Sequence, residues 1–382
     1  MFRLATIDIL YDSSVCRDAS TLSHENEVFV LDLRLNKSKK SEIINGFQVE
    51  RMRLFTKKLP KNIFFWVIKY AEYLLRITCR AITKKADIYH AYNLDTLLPA
   101  YFAAKLKRAK VIYYARELCT DTTGMKGLQR KFWRSVERML IRRVDRVIAV
   151  SDERARIMKE EYRVEQMPAV IINCPSGRTI RASHKLRDFV GSRGAGNVKI
   201  ALYQGGMIQN RCLENIVRAV EYLHAGIVIV FLGYGELRDE LESLAAHEGM
   251  ADRVFFHDAV PASELLSYTV SADIGIVIYK NTCRNNYYCA PTKLYEYIIA
   301  GIPVVGSDFP GISPVVNRYE IGSLFDPEDV RSIADAINNV LGDKAGYTKM
   351  KKNTEKAKEV YNWEAQREKL CEVYSDLIPE EQ

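Results

Sequence analysis

Apolar residues in this chain fall in short runs, and the runs come in two series. Residues 4–10, 28–33, 88–92, 111–114 and 147–150 form the first, and residues 199–203, 227–232, 254–257, 274–278 and 304–305 form the second. Each run is short and rich in β-branched residues, which suits a buried strand, and segments with apolar residues every three to four positions separate several of them. Strands that alternate with helices predict a parallel sheet covered by helices on its faces.

The rhythm breaks once. Between residues 173 and 197 come Pro175, Ser176 and Gly177, then a basic helical stretch, then Gly191, Gly194, Ala195 and Gly196, a composition that suits a linker. The pattern therefore predicts an α/β chain of two doubly wound, Rossmann-like domains, residues 1–175 and 176–360, facing each other across a cleft. A closing helix in residues 361–382 puts Trp363, Leu370, Tyr374 and Leu377 on one face and is expected to pack back on the N-terminal domain. Such units bind ligands outside the carboxyl ends of their strands, so function is sought there.

Composition narrows the classes. A chain of 382 residues, 48% hydrophobic and 27% charged, can bury two ordinary cores. The net charge of +8 favours anionic partners, but no nucleic-acid-binding module accompanies it, so a nucleic-acid role is not expected. Eight cysteines without a C-x-x-C pair argue against a metal knuckle and for a reduced, cytoplasmic setting. Residues 1–10 lack a basic leader region and read as a first strand. The longest apolar stretch, residues 63–82, is interrupted by Lys69, Glu72, Arg76 and Arg80 and does not read as a membrane span. With Lys84 these form one charged stripe, and Lys126, Arg130, Arg134, Arg138 and Arg142 form another. Peripheral contact with an anionic membrane face is one reading of the stripes, and a solvated helix face is the other.

The chemistry concentrates in residues 290–305. Pro291 fits a helix start, Gly301 suits the left-handed position after a helix end, and Pro303 prevents continuation. A helix opening at Pro291 and Thr292 points unpaired N–H groups and a positive dipole end at a diphosphate, with Lys293 adding a full charge. Glu296, one turn later, can accept hydrogen bonds from the two ribose hydroxyls of a nucleotide.

The block Pro291-Thr292-Lys293-Leu294-Tyr295-Glu296-Tyr297, closed by Gly301, Pro303, Val304 and Val305, resembles glycosyltransferase family 4, retaining group 1 glycosyltransferases of the GT-B fold. The resemblance extends to Tyr203-Gln204-Gly205-Gly206 followed by Arg211, to Gly233-Tyr234-Gly235-Glu236-Leu237, to the run ending at His257, and to Ser271-Ala272-Asp273. It implies that Gly205, Gly206, Arg211, Gly233, Gly235, His257, Tyr288, Pro291, Thr292, Lys293, Leu294 and Glu296 line the site of a sugar nucleotide. Lys293 and Arg211 would hold its phosphates without a metal or other cofactor, in keeping with the lack of any D-x-D. Two positions depart from the family pattern. Tyr288 stands where many members have a first glutamate, and Met207 where an arginine is usual.

In the first half, Asp87-Ile88-Tyr89-His90-Ala91-Tyr92-Asn93-Leu94-Asp95 is similar to the family's acceptor-side strand and loop. Tyr113-Tyr114-Ala115-Arg116-Glu117 is similar to a segment in which many relatives carry His-Glu, with Arg116 in place of the His. The resemblance implies catalytic roles for Arg116, Asp95 and Glu117, and acceptor contacts from Ser14, Arg17, His90 and Asn93. The implied activity is transfer of a sugar, with retention, to a saccharide or lipid-linked acceptor in cell-envelope polysaccharide assembly. A non-catalytic partner of the same fold and a sugar-nucleotide 2-epimerase are the alternatives. Taken singly, Gly233-Tyr234-Gly235 is also an ordinary turn, and His90 at a strand end is also an ordinary structural histidine.

Overall fold

The computed structural model describes the chain except residues 6–8, 10, 11, 35–37, 61, 62, 178, 179 and 378–382. Of the expected first strand, 4–10, residues 6–8 and 10 are among these; the described strand is Phe2–Leu4, which shares Leu4 with it, and Ala5 and Ile9 lie outside any strand. The chain divides into two compact units, Met1–Ile171 with Arg367–Gln382, and Ile172–Gln366.

The first unit holds β1 (Phe2–Leu4), β2 (Phe29–Leu33), β3 (Ser41–Ile44), β4 (Phe47–Met52), β5 (Ile88–Tyr92), β6 (Lys110–Ala115), β7 (Arg146–Ala149) and β8 (Ala169–Val170) in the order β3-β4-β2-β1-β5-β6-β7-β8. All neighbours are parallel except β3 and β4, a hairpin at the edge. The sequence reading passed over this hairpin because β3 alternates exposed and half-buried positions and lacks an apolar run. The Asn45-Gly46 dipeptide at its turn is the local signal, since both residues take positive φ, 44° and 90°.

The second unit holds β9 (Lys199–Gln204), β10 (Ile227–Leu232), β11 (Val254–His257), β12 (Ile274–Val277), β13 (Val304–Ser307) and β14 (Gly322–Phe325), all parallel, in the order β11-β10-β9-β12-β13-β14. Counted from β9, that is 3-2-1-4-5-6. The order reverses between β9 and β12, and the crevice at their carboxyl ends is where such a sheet takes its ligand. The core beneath is continuous, from Tyr203, Ile229 and Phe231 to Ile276, Ile333 and Ile337. The stretch read as a linker is built into this unit. Leu186 on the helix Lys185–Gly191 is fully buried, and Arg187 meets Asp273 at 2.9 Å.

On the closing helix Trp363–Ser375 and just beyond it, Trp363, Leu370, Tyr374 and Leu377 are all buried. No helix among the described residues is long and apolar enough to cross a membrane.

Candidate functional site

The helix Thr292–Ile299 buries Leu294, Tyr295, Tyr297, Ile298 and Ile299 and leaves Lys293 and Glu296 half-buried, one turn apart on the other side. Pro291 is its N-cap, with extended backbone and no side-chain cap, so its first amides are open to an anion. Leu294 is wholly buried, and its N–H donates to Pro291 O at 3.0 Å, which leaves it a packing residue of this turn. Thr292 Oγ1 accepts from Asn173 Nδ2 at 3.2 Å. The helix ends as its sequence requires: Gly301 takes φ 70°, and the N–H of Ile302 donates back to Tyr297 O at 3.1 Å.

The turn after β9 lies beside this helix. Gly205 has φ 124°, and a Cβ there would sit 3.3 Å from Lys293 Nζ, so the lysine tip occupies the space a side chain would fill. The lysine also lies over the Tyr203 ring, 3.7 Å from its centroid. Behind the turn, a Cβ on Gly233 would fall 2.1 Å from Gly205 O, and one on Gly235 equally close to Met207 O. Gly205 N donates to Leu232 O and Met207 N to Tyr234 O, at 2.9 and 2.8 Å. Gly233 and Gly235 therefore let two backbone turns pack together, which fixes the shape of the Gly205-Gly206 floor.

A second cation, Arg211, lies within electrostatic reach of Lys293 and Tyr203. Arg211 stacks on Tyr279 with its guanidinium carbon 3.9 Å from the ring centroid, and its Nη1 is buried without a hydrogen-bond partner. Burial, and then the nearby Arg211 charge, pull the Lys293 ammonium down to about 7, against the opposing pull of Glu296. A half-buried guanidinium with one buried, unpartnered nitrogen and a lysine at the edge of ionisation both favour an arriving anion.

Glu296 is held from the side. The Gln204 Nε2 group donates to its Oε2, and Thr269 Oγ1 donates to Gln204 Oε1 at 2.8 Å. The buried Tyr297 hydroxyl donates to Leu202 O at 3.0 Å and accepts from Gln204 N at 3.1 Å. At the rim, His257 Nδ1 donates to Asp258 O at 2.7 Å, and the ring packs edge-on against Phe189 and Tyr268. Tyr288 follows the short helix Arg284–Tyr287 and packs edge-on against Tyr287 at 5.1 Å.

In the first unit, residues far apart in sequence meet at the carboxyl ends of β5 and β6. Asn93 has φ 61°, an uncommon backbone for a non-glycine residue, and its Oδ1 accepts from the amides of Arg116 and Glu117 at 2.9 and 3.2 Å. Arg116 Nη1 pairs with Asp12 Oδ2 at 2.5 Å. Asp12 also caps the helix Ser13–Leu22, and its Oδ1 accepts from Ser14 Oγ at 2.7 Å. Burial works against the Asp12 carboxylate, but the Arg116 charge and hydrogen bonds from Arg116, Ser14 and Val15 hold its pKa below the ordinary value. Stability from this pair is thus present above the ordinary carboxylate pKa and lost as pH falls through the lowered one. Asp12→Asn keeps a competent cap but removes the charge. It is expected to cost about 2 kcal/mol at neutral pH, with a gap to wild type that closes in acid, as thermal melts across pH will read.

The other first-unit candidates scatter. Asp95 lies on the helix Asn93–Lys107 near Tyr70 and Tyr73, whose hydroxyls burial and then its charge push up. The Glu117 side chain is exposed. Arg17 is half-buried within electrostatic reach of Asp18 and Tyr114. His90 is fully buried, its Nδ1 hydrogen-bonded to the Tyr374 hydroxyl and its pKa pushed well down by burial and then by Arg3 and Arg116. It is a neutral interior group here, because β5 lies in the middle of the sheet and Tyr374 covers it.

Much of the basic stripes is spent inside the unit. Arg80 pairs with Glu50 at 2.6 Å, Arg130 and Arg134 with Asp121, and Arg134 with Glu161. Sequence reasoning placed Asp12 only as the start of the segment 12–17 that would line the cleft, and gave Gln204 and Tyr297 no role of their own. For Gln204 the signal was a polar residue closing an otherwise apolar strand.

A D-inositol 3-phosphate glycosyltransferase of Xylanimonas cellulosilytica is 27% identical over 164 residues, 42% of this chain and 38% of the relative. A lipopolysaccharide core biosynthesis glycosyltransferase of Rhizobium meliloti is 24% identical over 179 residues, 47% of this chain and 49% of the relative. The chain thus spans about half the length, or less, of the curated relatives it matches. Anabaena HepE in complex with UDP-glucose is similar in structure, with TM-score 0.77 at 14% identity over 98% of this chain and 99% of that one. That likeness is one of fold, the GT-B fold of two Rossmann-like units. A model of glycosyl transferases group 1 matches residues 188–357 and one of glycosyltransferase family 4 matches residues 15–175, and with both halves so covered the chain belongs to the family 4, group 1 glycosyltransferases.

Proposed function

We propose that this protein transfers a sugar from a nucleoside diphosphate to a saccharide or lipid-linked acceptor, with retention of configuration, in the assembly of a cell-envelope polysaccharide. The observation that carries the reading is the convergence of Lys293, Arg211 and the uncapped amino end of Thr292–Ile299 over the Gly205-Gly206 turn. These groups supply the positive charge that a departing nucleoside diphosphate needs, without a metal ion or cofactor. Glu296 takes the ribose hydroxyls, and His257 borders the base.

In the transfer, the bond from the sugar's anomeric carbon to the diphosphate breaks and one to the acceptor oxygen forms on the same face. The acceptor proton passes to a departing phosphate oxygen, so no histidine base is required. Arg116, fixed by Asp12 and Asn93, then serves as an anchor for an anionic or hydroxyl-rich part of the acceptor. Exposed Leu128 and Phe132, one turn apart on a helix that also exposes Lys131 and Arg138, support work at the inner face of a membrane, where a lipid-linked acceptor resides.

Thermal shift and donor hydrolysis across a set of sugar nucleotides test the donor site. One nucleotide series is expected to stabilise the wild type by several degrees, and Glu296→Ala to remove most of that shift. If no sugar nucleotide shifts the wild type, or the variant responds equally, the reading is wrong.

A further inference from the structure

The side chain that would meet the ribose does not stand by itself. Glu296 is half-buried on a helix that carries Lys293 one turn back, near enough for the two charges to act on each other. A carboxylate turned toward that lysine would neutralise the cation that a diphosphate needs.

Gln204 opposes that. It is 2% exposed, the last residue of β9, and it is held at both ends. Its backbone N–H donates to the Tyr297 hydroxyl at 3.1 Å. Its side-chain amide lies between Thr269 Oγ1 and Glu296 Oε2. Electrostatics fix which way the amide faces. Its oxygen against the Glu296 carboxylate would oppose two acceptors, so the NH2 group faces Glu296 and the oxygen takes the Thr269 hydroxyl proton. Thr269 is fully buried away from solvent, and its one hydroxyl proton is shared between the Gln204 oxygen at 2.8 Å and Leu265 O at 2.9 Å. The hydroxyl, amide and carboxylate thus form a hydrogen-bonded chain from the unit's interior to Glu296 Oε2.

We propose that Gln204, backed by Thr269, is a positioning residue: it holds the Glu296 carboxylate in the orientation that reads the ribose hydroxyls and thereby sets the preference for a ribonucleotide. The proposal rests on Glu296 meeting the ribose. Gln204 itself touches no substrate.

The test compares binding of UDP, GDP and ADP with that of their 2′,3′-dideoxy counterparts, by titration calorimetry on the full chain. Wild type is expected to prefer the ribonucleotide that suits its base pocket. Gln204→Met, close in volume but unable to donate, is expected to shrink that preference about tenfold while leaving the affinity for the dideoxy nucleotide within about twofold. Thr269→Val, which frees the amide without altering Gln204, is expected to shrink it in the same direction and carries the test should Gln204→Met fold poorly. Adding Gln204→Met to Glu296→Ala is expected to cause no further loss, because the amide acts only through the carboxylate. If Glu296→Ala abolishes the ribose preference while Gln204→Met and Thr269→Val retain it, the relay is overturned and the ribose reading stands. If Glu296→Ala retains the preference, the ribose reading itself falls. A uniform loss for both nucleotide forms in Gln204→Met assigns it a merely structural part and also overturns the proposal.

Discussion

Lys293→Met is expected to weaken sugar-nucleotide binding by thirtyfold or more, the equivalent of roughly 2–5 kcal/mol for a charge-assisted contact in a desolvated site. The lysine tip lies against the Gly205 turn and the Tyr203 ring, where little water screens it from a phosphate. Its pKa gives the effect a pH dependence whose sign follows from linkage. The free protein holds this ammonium near 7, because burial and the neighbouring Arg211 disfavour the charge, whereas a bound diphosphate requires it. Binding above pH 7 must therefore take up a proton, and affinity should fall about fivefold between pH 7 and pH 8 from this group. Without ligand the sign is opposite. Between about 7 and the ordinary lysine value the unfolded chain holds a proton that the folded chain has released, so this group favours folding more as pH rises through that window. Calorimetry in buffers of different ionisation heat will read the proton uptake. In Lys293→Met both the uptake and the fivefold slope should vanish, and a slope that survives the substitution would assign it to another group.

Gly275→Ala is expected to cost about 3–5 kcal/mol and to lower the melting temperature of the second unit by roughly 10 °C or more. Gly275 lies in the central strand β12, and a Cβ there would fall 2.2 Å from two carbons of the Tyr297 ring. The tyrosine ring lies flat on the glycine backbone, and this brings its hydroxyl to Leu202 O and Gln204 N. An added methyl group drives the ring away, strands buried hydrogen-bonding groups on β9, and moves the helix that carries Lys293 and Glu296. The clash predicts its own relief. Tyr297→Ala added to Gly275→Ala should cost less than the two losses combined, whereas strict additivity would mean that the ring and the strand are not in conflict. Sugar-nucleotide binding should fall with stability in Gly275→Ala, because the same displacement disturbs both.

The sequence by itself determined what depends on neighbours along the chain. Two series of short apolar runs specified the parallel strands of two sheets, since burial on both faces demands continuous apolar strands, and left out the antiparallel edge strand β3. Pro291, Gly301 and Pro303 bounded the helix of the donor site, because φ limits and a missing N–H act within a turn. Lys293 and Glu296 fell on one side of it through helical spacing alone. The tertiary structure decided everything that joins distant segments. It set the order in which β9 and β12 come to flank the reversal, and it placed the Gln204 amide on Glu296, 92 residues later. It paired Asp12 with Arg116 across 104 residues, and it buried His90 beneath Tyr374, 284 residues away, at a strand end where the chain pattern favoured a structural histidine but left a ligand contact open. Periodicity fixes which face of an element is apolar, but which polar groups meet across an interior is set by the packing of elements that no local rule relates.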